Sequence, residues 1–312
     1  MQIMGKAPDL RETFDPPDEI VQAGLNGDLV FFVGAGVSML LDLPSWSGLA
    51  AKALHDLRQN GLLNYSEIEQ LNSLDPKKQL SIAYSIAEDN KHDLDLTKHL
   101  TGKSEGDSIY KAINDIGCSC VTTNYDELLA PRFVDTKDGS TTAASVNRVY
   151  EREKFFAKLL NEPGVVVHLH GAISKPETMI VKTKDYLEHY DHENVQEFLG
   201  ELFEKKTILF LGYGLEEEEI LEHILRRGSV KPTSDRKRFA LQGFFLSQNP
   251  LYQNLHTYYE KSFGVHLLGF IRDHENYKRL EAIIKTWANQ IEIRKPPLAA
   301  DYDFMDEVLD DE

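Results

Sequence analysis

The chain has 312 residues, with 34 Lys+Arg against 51 Asp+Glu for a formal net charge of −17, and 41% of it is hydrophobic. That is enough apolar material for a substantial core in one or two domains, and the acidic balance works against a broad nucleic-acid-binding face or adsorption to an anionic membrane. No run approaches the roughly 18–20 apolar residues of a membrane-spanning helix, and residues 1–17 hold no apolar signal core, so a cytoplasmic protein is expected.

Residues 1–17, rich in Pro and charge, read as an extended arm. A short helix is expected over 18–27. Leu29-Val30-Phe31-Phe32-Val33 is then an apolar, β-branched and aromatic run of strand length that stops at Gly34-Ala35-Gly36. Helical patterns follow over 45–60, 76–90 (with Leu80, Ala83, Tyr84 and Ala87 on one face) and 108–116, so residues of about 45–117 form a helical insertion. Further strands are expected over 118–122, 165–170, 207–211, 239–241 and 265–268, with helices over 216–227 and 276–291. Strands alternating with helices predict an α/β fold: a Rossmann-like, largely parallel sheet with helices on both faces. One domain would span 18–295, leaving 296–312 as an acidic tail whose last twelve residues hold seven acids and no base.

Each of the first four strands ends in small or polar residues, and ligands of open parallel sheets sit outside the carboxyl ends of the strands. Gly34, Ala35 and Gly36 let the backbone approach a pyrophosphate, although a tight strand-to-helix turn needs glycine equally. Met39 stands where G-x-G-x-x-G needs its third glycine. Asn124 is either a ribose or water ligand or a helix cap, and Asp126 by itself reads as a first-turn acid. His168 and His170 alternate by two and are expected on one face of one strand, His168 as a core histidine and His170 as a general base.

Other motifs fail on spacing. Thr97 stands where a phosphate loop ending Gly102-Lys103-Ser104 needs glycine, and Lys278 stands where His274-Glu275 would need its second metal-binding histidine. Glu216 to Glu219 read as acids favoured at a helix N-terminus, and Arg226, Arg227, Lys231, Arg236, Lys237 and Arg238 as a solvated loop.

In order, Gly34-Ala35-Gly36-Val37-Ser38 with Asp42-Leu43-Pro44-Ser45-Trp46, Thr122-Thr123-Asn124-Tyr125-Asp126, His168-Leu169-His170-Gly171 and Gly212-Tyr213-Gly214 resemble the motifs of the sirtuin (SIR2-like) family. The family's deacylases carry a zinc ribbon with two C-x-x-C pairs and a D-F-R segment. This chain has only Cys118 and Cys120, and Ser45-Trp46-Ser47 in place of D-F-R. It is therefore similar to the zinc-free bacterial SIR2-like group, which mostly hydrolyses NAD+ and often acts in anti-phage defence.

The resemblance implies Asn124 and His170 as the essential catalytic pair. Asp126 would take the nicotinamide carboxamide, and Gly34, Ala35, Gly36 and Ser38 the phosphates. Tyr213 and Gly214, with Gly212, would lie against the adenosine ribose, and Trp46 and Thr123 also line the nucleotide. NAD+ would be substrate, with no metal. A toxic effector also implies control by homo-oligomerisation or by a separate sensor protein, such as an ATPase, a nucleotide-processing protein or an Argonaute-like subunit. The acidic tail offers either a docking segment, through Phe304, Met305, Val308 and Leu309, or a solubilising tail. A protein deacylase and a non-catalytic NAD+ or ADP-ribose-binding subunit are the alternative functions.

Overall fold

The computed structural model describes residues 9–101, 104–133, 146–215, 217–227, 237–272 and 277–294. The acidic tail, Gly102-Lys103, Glu216, His274-Glu275, Lys231 and Arg236 lie outside the described residues. In chain order the elements are α1 (Asp18–Leu25), β1 (Leu29–Val33), α2 (Ala35–Ser38), α3 (Trp46–Gln59), α4 (Tyr65–Leu71), α5 (Pro76–Asp89), α6 (Ile109–Ile116), β2 (Ser119–Thr122), β3 (Asn147–Val149), β4 (Val165–His168), α7 (Thr183–Tyr190), α8 (Glu193–Lys205), β5 (Thr207–Leu211), α9 (Glu218–Arg227), β6 (Arg238–Phe244), α10 (Asn249–Phe263), β7 (Val265–Ile271) and α11 (Lys278–Trp287).

The helix starts follow from local chemistry. Ser45 accepts from the Gly48 amide, Asp75 accepts from Lys78 with Pro76 at the first helical position, and Asn64 forms a reciprocal box with Glu67. Gly117 and Gly264, both with positive φ, stop α6 and α10.

Seven parallel strands lie in the order β3-β4-β2-β1-β5-β6-β7. All five residues of β1 are buried, as a strand covered on both faces requires. Its alternation supplies both cores. Val30 and Phe32 join Ile208, Phe210 and the buried face of α8 on one side, whereas Phe31 and Val33 join Leu209, Leu211 and the apolar faces of α6 and α11 on the other. The helices α3 and α5 enclose a third core around Leu49, Ala53, Leu57, Leu80 and Ala83, and Trp46 packs against both this core and that of the α8 side. The strand order reverses between β2-β1 and β1-β5, which places the switch point at the carboxyl ends of β1 and β5.

Three sequence readings change. Strand β4 ends at His168 rather than at residue 170. The elements β3, α4, α7, α8 and α10 appear in addition to those expected. Arg238 opens β6 and is buried, its guanidinium donating to the carbonyls of Phe203 (2.7 Å) and Phe263 (3.2 Å), so it caps helix ends rather than lying in a solvated loop.

Candidate functional site

The tips of β1 and β2 are tied together before any polar side chain is placed. The Thr122 hydroxyl donates to the Val33 carbonyl at 2.8 Å and accepts the Asn124 amide at 3.0 Å, while the Thr123 amide donates to Val33 at 3.3 Å. This fixes Asn124 over the β1 turn, and its side-chain amide donates to the Gly34 carbonyl (3.0 Å) and to Ser38 Oγ (2.9 Å). Among the described residues no helix follows the Asn124 turn before β3, and the side chain instead acts as a cross-strand clamp.

Ser38 in turn donates to Asp126 Oδ2 at 2.7 Å, and the Tyr110 hydroxyl lies 2.9 Å from Ser38 Oγ and 3.2 Å from the same carboxylate. All four residues are buried. Burial raises the Asp126 carboxyl above the ordinary aspartate range even though Ser38, Tyr110 and the Leu128 amide donate to it. Tyr110 also rises, because it is buried beside that acid. Sequence reasoning missed Tyr110. Its signal is a hydroxyl on a buried face of α6 that is otherwise apolar but for Asn114, formed by Ile109, Ala112, Ile113 and Ile116.

The β5 tip closes on the same turn. Gly212 has φ +59°, which favours glycine, and its carbonyl accepts the Gly36 amide at 2.8 Å. A Cβ on Gly36 would lie 2.8 Å from Gly212 Cα, and one on Gly34 would lie 2.8 Å from Tyr213 Cα. Both glycines therefore answer to the packing of two strand tips. The Gly34 amide donates to Leu211 and the Val37 amide to Gly34, so three amides of this turn are held by protein carbonyls. Tyr213 is buried against Phe32 and Phe210, with ring centroids 4.9 and 5.6 Å away, while Gly214 is exposed.

Past β4 the chain turns at Gly171, φ +79°, and the two histidines separate. His168 lies under the Tyr150 ring (5.0 Å) with Nδ1 3.4 Å from the Asn124 carbonyl, and burial lowers its pKa to about 4. His170 instead enters an aromatic box, with Nε2 2.8 Å from the Tyr190 hydroxyl and its ring 5.0 Å from that of Tyr186. They do not share one strand face, because the strand has ended and the turn redirects the second side chain. Burial, then the charges of His189 and Lys77, hold the His170 pKa well below the usual histidine value, leaving a neutral imidazole at pH 7. The two loops are coupled, since Tyr125 donates to the Ile180 carbonyl and the Ile180 amide donates to the His170 carbonyl at 3.0 Å. Trp46 packs beside both, 5.8 Å from Tyr125 and 6.5 Å from Tyr186.

A groove of about 870 Å³ runs between residues 93–97 and residues 176–185. Its walls carry Asp93, Asp95, Glu151, Glu153, Glu177, Asp185 and Glu188 against Arg152 and Lys182, an unfavourable place for a pyrophosphate. Ligands of open parallel sheets sit outside the strand tips at the switch point, which are therefore the candidate site. Far from them, His256, Glu260 and His266 have donor atoms within 4.8 Å of one another, with the Glu260 carboxylate 3.7 and 3.8 Å from the two imidazoles. The fold brings this trio together from α10 and β7. Among the described residues no helix is long and apolar enough to cross a membrane.

Comparison with known proteins gives a family-model match and a relative. A family model described as a SIR2-like domain matches residues 119–268, which include Asn124, His170 and the Gly212 turn. Defense-associated sirtuin 2 of Bacillus subtilis is 29% identical over 214 residues, covering 63% of this chain and 19% of that protein. The matched segment thus amounts to about a fifth of that relative's length.

Proposed function

We propose that this chain, which carries a SIR2-like domain, hydrolyses the N-glycosidic bond between nicotinamide and ribose in NAD+, giving nicotinamide, ADP-ribose and a proton. The observation that carries this reading is an amide clamped between two strand tips at the switch point, on a turn coupled through Tyr125 and Ile180 to the loop that holds a buried, neutral imidazole. Nicotinamide leaves as a neutral group and the ribose develops oxocarbenium character, so the site needs positioning and a base of moderate strength more than a strong acid.

Asn124 orients the ribose or the attacking water. His170, uncharged, accepts the proton as water adds to the anomeric carbon. The phosphates and adenosine ribose would lie against the strand tips at residues 34–38 and 212–214, where the Gly34, Gly36 and Val37 amides are already taken by protein carbonyls. Asp126, whose Oδ2 is taken by Ser38 and Tyr110, would offer the carboxamide its Oδ1, which accepts the Leu128 amide at 3.3 Å.

The name of the Bacillus relative supports a place in defence, in which depletion of NAD+ would arrest an infected cell. Such an activity demands control, so we assign the chain an inactive resting form relieved by self-assembly or by a sensor partner. The absence of any C-x-x-C pair supports hydrolysis over deacylation, since a deacylase needs the ribbon to shape its acyl-lysine channel.

Purified protein, alone and with candidate activating partners, is incubated with NAD+ with and without an acetylated peptide while nicotinamide is followed. Peptide-independent release that is lost in Asn124→Ala and His170→Ala supports the reading. Peptide-dependent release establishes the deacylase instead, and binding without turnover in every mixture establishes a nucleotide-binding subunit.

A further inference from the structure

We propose that Glu217 is a positioning residue for His170, acting through Tyr190: the ionised carboxylate sets the imidazole tautomer that leaves the nitrogen facing away from Tyr190 free to act as base. This rests on the hydrolase reading of the site. Four acids stand in a row at 216–219, but the fold gives Glu217 a distinct task. Leu215 is in the left-handed region (φ +55°), uncommon for a branched side chain, and is buried in the core on the α8 side. That turn, held by core packing, brings the Glu217 carboxylate to 3.8 Å from His170 Nε2, while Glu219 pairs with Lys77 at 2.6 Å.

The proton inventory around Nε2 then has two solutions. His170 Nε2 is 2.8 Å from the Tyr190 hydroxyl, which has a single proton to give. Glu217 Oε2 is buried and has no hydrogen-bond partner among the described residues, so with Glu217 ionised it is the open acceptor toward which Tyr190 can turn its proton. Nε2–H then donates to the tyrosine oxygen, and the other imidazole nitrogen is unprotonated. With Glu217 protonated, the acid donates toward Tyr190, Tyr190 donates to Nε2, and the remaining imidazole proton moves to the nitrogen that must serve as base. No net proton enters His170 in the exchange; the one bound by Glu217 reorders the relay.

The groups facing this carboxylate are His170, Tyr190, Tyr213, Lys77, Glu219 and the more distant Tyr125 and Tyr186. Burial above all, and Glu219, push Glu217 up to about 7, while Tyr213, Lys77 and Tyr190 oppose the rise. The relay therefore switches at neutral pH, and the active tautomer is the form present above that value.

The test is imidazole 15N NMR of the full chain from pH 5 to 9, with His170→Gln to assign the resonance, alongside the pH dependence of nicotinamide release. In the wild type the His170 nitrogens should exchange roles with a midpoint near 7. Glu217→Gln should abolish that transition, Tyr190→Phe should uncouple it, and Glu217→Asp should keep a transition with a displaced midpoint. In turnover, Glu217→Gln should lose the limb that rises through neutral pH and lower kcat at least 10-fold, with KM for NAD+ within about twofold. A purely structural role would lower the melting temperature and leave both profiles in place. Identical His170 spectra in wild type and Glu217→Gln overturn the proposal. If no mixture releases nicotinamide, the hydrolase reading fails and the spectra still decide the role of Glu217.

Discussion

Ser38 donates to Asp126 across 88 residues of sequence, and the same hydroxyl oxygen accepts from Asn124. A side chain in the first glycine turn therefore orients the amide proposed to hold the ribose, and the buried acid anchors both.

Removing that hydroxyl tests the anchor. Ser38→Ala leaves Asp126 short of a donor and Asn124 short of an acceptor in a buried setting, and the fold should lose about 1–3 kcal/mol. Chemical denaturation measures the loss. Nicotinamide release should fall by more than the loss of folded protein explains, because Asn124 is then held by the Gly34 carbonyl alone.

Glu217 makes stability depend on pH in a defined direction. Its folded pKa, about 7, lies above the ordinary 4.5, so its stabilising contribution is complete below about pH 4.5 and is lost as pH rises through 7. Glu217→Gln should match the wild type near pH 4.5 and be more stable at pH 8 by about 1–2 kcal/mol, the full shift being discounted for its partly exposed side chain. Denaturation curves at the two pH values give the difference.

His168 carries the opposite sign. Its pKa is depressed to about 4, so the stability linked to the neutral ring is complete above about pH 6.5 and is lost on acidification toward 4. His168→Gln should lose about 1–2 kcal/mol at pH 7 with the Tyr150 contact, yet unfold over a narrower acid range than the wild type. The neutral-pH limb of turnover should remain, since it belongs to the His170 relay.

Two glycines hold the strand tips in register. Gly36→Ala drives a methyl group against the Gly212 backbone, and Gly212→Ala adds a Cβ 2.5 Å from the Val37 nitrogen at φ +59°. Each should cost about 2–4 kcal/mol, and a thermal melt reads the loss. Gly61→Ala, also at positive φ but with open space around it, should cost only about 1 kcal/mol.

The sequence by itself determined the parallel α/β architecture, because a continuous apolar run such as Leu29–Val33 satisfies itself only inside a sheet covered on both faces. It also marked the strand tips, where glycine and polar residues interrupt that pattern. Helix α8 was not among the expected elements, although the spacing of Val195, Phe198, Leu199 and Leu202 marks it, whereas the three-residue edge strand β3 has no run long enough to carry a period. Tertiary structure alone decided what the polar residues do. Asn124 reads locally as a cap and becomes a clamp because β1 lies beside β2; Glu217 reads as one more acid at a helix start and becomes a neighbour of His170 because Leu215 turns the chain inward. Periodicity reports which face of an element is buried, but a hydrogen-bond partner 44 to 90 residues away is set only when the strands take their order in the sheet.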